Sequence, residues 1–326
     1  MIQLGVLLTK YHRLLSIAAI LDVFETVNSF CMEEGEGPSF SIHVLNAGED
    51  HKGLYSGYPP ERLDESMRFD LILIPAFASS DMQKAIRDNG AFIEWICDMR
   101  HQGAAIASVC TGAFLLAATG LLNDKTATTH VDATGRFAAA FPSVRLQPDA
   151  VVTQDQDIYT SGGSTNSFYL LLLLIENYCG REMAIRTAKY FAIDMDREQQ
   201  THFATFKPVP SQQDELVYQL QQRIRRDYAQ VNTIDELIND IPSSRRNLAR
   251  RFKQATGVTF IEYLQRTRIE AAKRVLEQST GGVLESMIAS GYNDEKTFRQ
   301  LFKKTVGMTP SSYRDKYSAR PQHTRV

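Results

Sequence analysis

The sequence is sparing with cysteine: four occur in 326 residues, at positions 31, 97, 110 and 179. Their spacing matches neither a metal-ligand set nor a disulfide framework, which weighs against a stapled fold and leaves free thiols with no metal or cofactor expected. Long apolar runs are missing too. FYLLLLLI (Phe168–Ile175) is the longest, far short of the ~20 residues that cross a bilayer. The N-terminus has no basic segment, no signal-like core and no small-residue cleavage site. A cytoplasmic protein with no membrane partner is the simplest expectation.

What is present is ordinary in amount and uneven in placement. Hydrophobic residues make up 43% and charged residues 23%, typical of a globular protein long enough for two domains. The net charge of −2 hides a split. Residues 1–210 carry 16 Lys+Arg against 25 Asp+Glu, and residues 211–326 carry 20 against 13. An acidic body joined to a basic module suggests a polyanionic partner.

The first ~200 residues alternate apolar runs with helical patterns, as a parallel α/β sheet does. The predicted strands are Ile2–Leu8, Phe40–Asn46, Asp70–Ala76, Ala104–Val109 and Ala127–His130. Helical stretches fall at Ile17–Cys31, Asp81–His101, Gly112–Thr119, Thr165–Tyr178 and Arg181–Phe191. FKPVPSQQ (Phe206–Gln213), polar with two prolines, reads as a linker. No strand pattern follows it. The expected domains are 1–205 and 215–318, joined by a linker over 206–214 and ending in a flexible tail over 319–326.

The second half contains a repeat. Phe252, Lys253, Gly257, Thr259 and Tyr263 recur 50 positions on as Phe302, Lys303, Gly307, Thr309 and Tyr313. In the first copy Thr233 with Glu236 reads as a capping box, and Pro242 ends the short helix it opens. Ser244 caps a second helix that Gly257 closes. Leu248, Phe252 and Ala255 are expected in the core; Arg245, Arg246, Ala249, Arg250 and Lys253 face out. In the second copy Met287 and Ile288 are expected inside, Gly291-Tyr292 makes the turn and Asp294 caps. Phe298, Leu301 and Phe302 face the core, while Glu295, Lys296, Arg299, Gln300 and Lys303 face out. Thr259–Gln278 is a long amphipathic helix between the copies. Two such units can read successive major-groove faces about one turn (~34 Å) apart, with Arg forking onto guanine. A helical protein-binding module with solvated charges is the bland alternative.

SRRNLARRFKQATG and EKTFRQLFKKTVGMTPSSYR closely resemble the signatures of the AraC-type regulator domain, over about Gln212–Tyr317. The resemblance implies seven helices, with recognition helices near Ser244–Ala255 and Asp294–Thr305. By position it makes Arg246, Ala249, Arg250, Glu295, Lys296 and Gln300 base-contact candidates.

In the first half, SVCTGAFLL (Ser108–Leu116) puts Cys110 between an apolar strand and a helix. At such a turn free N–H groups and the helix dipole favour a thiolate and an oxyanion. His130 follows 20 residues on, where sheet topology can bring it beside Cys110. Inert packing is the commoner role of a buried cysteine.

SVCTGAFLLAATGLLNDKTATTH, DLILIPAF, VVTQDQDIYTSGGSTNSF and REQQTHF resemble the PfpI-like branch of the class I glutamine-amidotransferase superfamily, over about Ile2–Phe203. That implies a flavodoxin-like sandwich, and this form is shared with sensor domains of a regulator subgroup. Superfamily enzymes place a carboxylate against the cysteine. Here Ser16 stands at that position, with Asp22 and Glu25 on the following helix. Val131 replaces an aromatic after the histidine, and Ser108 a glycine before the cysteine.

The sequence therefore reads as a regulator: a homodimer that binds double-stranded DNA and senses a small-molecule effector at Cys110, Thr111, His130, Ser161, Gly162 and Gly163, with Thr165 nearby. The ligand class suggested is a carboxylate, amide or amino-acid-like compound. The rival is an enzyme (amidase, hydratase or glyoxalase-like) using Cys110 with His130.

Overall fold

The structure is a computed structural model. It describes residues 1–48, 57–64, 66–79, 81–195, 214–231, 233–278 and 282–318. The chain divides into two compact units, 1–200 and 201–326, each considered by itself.

In the N-terminal unit the strands are β1 (Ile2–Leu7), β2 (Phe40–Asn46), β3 (Glu61–Arg62), β4 (Leu71–Ile74), β5 (Ala105–Val109), β6 (Thr126–Ala127), β7 (Arg145–Leu146), β8 (Val152–Asp155) and β9 (Ile158–Ser161). The helices are α1 (Leu14–Glu33), α2 (Met82–Asp88), α3 (Ala91–His101), α4 (Ala113–Ala118), α5 (Thr134–Ala140), α6 (Ser167–Cys179) and α7 (Arg181–Tyr190). The main sheet runs β3-β2-β1-β4-β5-β9-β8, all parallel except β8, which pairs antiparallel with β9. β4 and β5 are buried throughout, so they read as unbroken apolar runs rather than alternating ones. One face packs on α1 and α6 through Ile17, Phe24, Leu170 and Leu174; the other packs on α3 and α4 through Trp95, Ile96, Phe114 and Leu116. α1 is long and apolar enough to cross a bilayer by length and composition, yet most of its apolar side chains are core; Leu14, Leu15 and Met32 are exposed.

The parallel α/β sandwich is as expected, with local corrections. The segment Ala127–His130 is not a strand of the sheet. Only Thr126–Ala127 is extended in a ladder, and it pairs with β7. The ladder ends because the Thr128 N–H donates to the Thr160 hydroxyl (2.7 Å) instead of to a strand carbonyl. The span Asp81–His101 is two helices, α2 and α3, parted at Asn89-Gly90. The β8–β9 hairpin escapes the sequence pattern because its turn has no glycine: Gln156 itself takes a φ of 58°.

The second unit has seven helices among the described residues: α8 (Glu215–Asp227), α9 (Ile234–Ile238), α10 (Arg245–Thr256), α11 (Phe260–Gln278), α12 (Val283–Ala289), α13 (Glu295–Val306) and α14 (Pro310–Tyr317). The repeat is exact in register: α10 and α13 each have 12 residues and start 50 apart. Each ends at a left-handed glycine, Gly257 (φ 77°) or Gly307 (φ 82°), where a side chain would be strained. Each also packs one aromatic edge-on against the next helix, Phe252 on Tyr263 (5.3 Å) and Phe302 on Tyr313 (5.6 Å). Ser244 and Asp294 cap as expected, accepting from the Asn247 and Thr297 amides. Two core expectations fail. Ala255 is exposed, since Leu248 and Phe252 already fill the buried face of α10, and Ile288 is exposed while Ser286 and Met287 are buried in that turn. Within the expected linker, 206–213 lie outside the described residues; Asp214 caps α8 by accepting from the Val217 amide. REQQTHF and the tail 319–326 lie outside them too.

Candidate functional site

Cys110 sits at the carboxyl end of β5 with a φ of 56°, a left-handed conformation that a non-glycine residue adopts only when its surroundings hold it there. A short 3-10 turn, Cys110–Gly112, then leads into α4. Two neighbours hold the turn. The Thr111 hydroxyl accepts from the Phe77 amide (2.8 Å) and donates to the Phe77 carbonyl (3.0 Å). Gly112 lies so close to β4 that a Cβ would stand 2.6 Å from the Pro75 oxygen. The thiol is buried.

Other segments converge on the same edge of the sheet. The Thr129 hydroxyl donates to the Cys110 carbonyl (3.0 Å), so the ATTH segment crosses directly beside the elbow. His130 follows, half-buried. Its Nδ1 accepts from the Asp132 amide (3.1 Å), which leaves the proton of the neutral ring on Nε2. That nitrogen lies 3.1 Å from where a Cβ on Gly163 would stand. Burial lowers the His130 pKa, with Arg13 and Arg136 lowering it further against the opposing pull of Asp132. Ser161 ends β9 in register with Val109 of β5. The Ser161 and Ser108 hydroxyls are fully buried and lack a hydrogen-bond partner among the described residues. Such groups are uncommon in folded proteins.

The structure thus brings Cys110, Thr111, His130, Ser161 and Gly163 to one end of the sheet, with Gly162 buried between and bonded to the Val151 carbonyl. Thr165 is exposed in the 3-10 turn before α6. Arg13 and Arg136 are the residues that sequence reasoning missed; neither lies in a motif, and the fold alone sets Arg13 near His130, whereas Arg136 follows it on the next helix. Ser16 is buried at the start of α1, its hydroxyl accepting from the Ala76 amide (3.0 Å), while Asp22 and Glu25 are exposed on the helix. No group of three or more His, Cys, Asp or Glu suited to a metal occurs among the described residues.

In the second unit, nine of the ten expected DNA-contact residues are exposed: Arg245, Arg246, Arg250 and Lys253 on α10, and Glu295, Lys296, Arg299, Gln300 and Lys303 on α13; Ala249, also expected to face out, is half-buried against the core of the first repeat. Their environments differ. Arg245 pairs with Asp235 (3.3 Å), and Arg250 donates to the Asn247 side chain (3.3 Å). Arg299 is held by Glu295 one turn back (2.7 Å). Arg246 and Lys296 make no ion pair among the described residues. Asp294, acting as cap, is held below the usual carboxylate range by the Thr297 hydrogen bonds.

Residues 56–177 match the DJ-1/PfpI family, and residues 239–316 match a helix-turn-helix domain. The HTH-type transcriptional regulator CdhR of Pseudomonas aeruginosa is 26% identical over 228 residues, 69% of this chain and 67% of that protein. The HTH-type transcriptional regulator GbdR of Pseudomonas aeruginosa is 22% identical over 317 residues, 96% of this chain and 84% of its own. The regulator GlxA of Rhizobium meliloti is 25% identical over 223 residues, 65% of each. A solved protein from Vibrio parahaemolyticus shares the fold of the first unit, with a TM-score of 0.50 at 22% identity over 58% of this chain and 98% of its own.

Proposed function

Since this chain is a transcriptional regulator joining a DJ-1/PfpI domain to an AraC-type helix-turn-helix domain, we propose that it reads double-stranded DNA through α10 and α13 and senses a small metabolite at the Cys110 elbow. The observation that carries the DNA half is the repeated pair of exposed basic helices on one scaffold. Arg246 and Arg250 would address base edges, and the lysines the phosphates. Arg246→Ala with Arg250→Ala should empty most chromosomal sites in genome-wide mapping while the fold, followed by circular dichroism, is unchanged. Undiminished occupancy would overturn the placement of the recognition helix.

The sensor half is supported by the buried Ser161 hydroxyl, which has no partner among the described residues, at the end of β9 beside the strand-to-helix turn that the His130 segment crosses. A carboxylate or amide suits that site. Such a ligand changes activity only by binding two conformations unequally, and a homodimer would gain avidity for paired sites. The protein is expected in the cytoplasm.

The left-handed Cys110 favours the rival, an enzyme with a cysteine nucleophile. Against it stand the buried thiol, Ser16 in place of an acid and a His130 tautomer whose Nδ1 lone pair is already engaged. Cys110→Ser separates the two: a sensor without catalysis turns over no amide, nitrile or dicarbonyl substrate before or after the change and keeps its DNA occupancy, whereas an enzyme loses that turnover.

A further inference from the structure

We propose that Arg268 is the positioning residue that fixes the two helix-turn-helix units relative to each other, and so sets the spacing of the DNA half-sites this protein accepts. The inference rests on both units docking on DNA. The C-terminal unit has two apolar cores. Val217, Leu248, Phe252 and Tyr263 belong to the first; Ile269, Met287, Phe298 and Phe302 belong to the second. α11 serves both, and its change of allegiance falls between Leu264 and Ile269. Arg268 stands at that seam.

Its guanidinium touches both sides. Nε donates to the Tyr228 carbonyl (2.8 Å) and Nη2 to the Val231 carbonyl (2.6 Å), just past the end of α8 in the first unit. Cζ lies 5.3 Å from the ring of Tyr292, in the turn of the second unit. The Tyr292 hydroxyl is buried without a partner among the described residues, so what this residue supplies at the seam is its ring face. Beside it Gly291, at φ 83°, lets the second turn rest on Ala229: a Cβ there would stand 2.7 Å from the Ala229 Cα and oxygen. A planar fork that bonds two carbonyls and stacks on a ring cannot be replaced by a lysine, which has one compact charge and no flat face. Without the clamp, only α11 and the close approach of Gly291 to Ala229 join the two cores, and a single helix can bend.

The consequence appears on DNA. Inserting one base pair between half-sites moves one by ~3.4 Å and turns it by ~34°, given about ten base pairs per turn. The full-length protein is used to select duplexes from a random library. The wild type should recover two sequence blocks at one spacing, and a one-base-pair insertion should weaken binding by about tenfold or more, as a mismatched contact does. Arg268→Lys should recover the same blocks at a spread of spacings and lose most of that penalty. Tyr292→Leu, which leaves the carbonyl bonds and removes the ring, should do likewise; this second variant guards against misfolding of the first. A wild type that selects a single block defeats two-unit docking and this inference with it. Two blocks with no insertion penalty, or folded variants that keep one spacing, defeat the clamp and leave the docking intact.

Discussion

At Gly112 an added Cβ would meet two backbone oxygens, at 2.6 Å from Pro75 and 2.7 Å from Ile74. Neither belongs to a side chain that can swing away. Gly112→Ala should therefore destabilise the N-terminal unit by about 1–3 kcal/mol, as overpacking does, read from denaturant unfolding; a loss near zero would show that the elbow can move off β4. His130 carries a pH dependence with a definite sign. Its folded pKa lies below the ordinary value, chiefly through burial. As pH falls through about 6.5, the unfolded ring protonates before the folded one, so stability is unaffected above that pH and declines below it. His130→Asn keeps an acceptor for the Asp132 amide and removes the titration, so the decline between neutral and mildly acid pH should shrink. Parallel losses in both proteins would assign the acid sensitivity to other groups.

The recognition helices are bounded by residues visible in the sequence, because caps act within three or four positions. Ser244 and Gly257 mark α10, and Asp294 and Gly307 mark α13. Ser244→Ala should cost about 1 kcal/mol by orphaning the Asn247 amide, measured as a fall in unfolding free energy with DNA contacts left in place. Ala255 and Ile288 show the limit of that legibility. Both satisfy a helical apolar period, yet each lies beyond the arc that its short helix can bury. β9 was illegible for another reason. Its hairpin turn has no glycine to mark it, and it is a strand because β5 and β8 flank it.

For the molecule as a whole, the charge division makes a quantitative expectation. The exposed cations of α10 and α13 should bind phosphates and release counterions, so affinity should fall by about 10³-fold between about 50 and 200 mM salt. A fall of less than about tenfold over that range, in filter-binding or fluorescence titration, would mean that few phosphates are engaged. The surplus of acidic residues in 1–210 works the other way, keeping the first unit from adding its own contact to a polyanion.

The sequence by itself determined the two-part organisation, the 50-residue repeat, the helix caps, the outward basic faces and the elbow around Cys110. These are local: each depends on residues within a turn or a strand of one another, or on charge that needs no coordinates. The tertiary structure alone decided that His130, Gly163, Ser161 and Cys110 share one end of the sheet, that Arg13 lies near His130, and that Arg268 spans two cores. Parallel strands require long crossovers, so residues far apart in the chain meet only when the sheet is assembled, and no periodicity records which of them will.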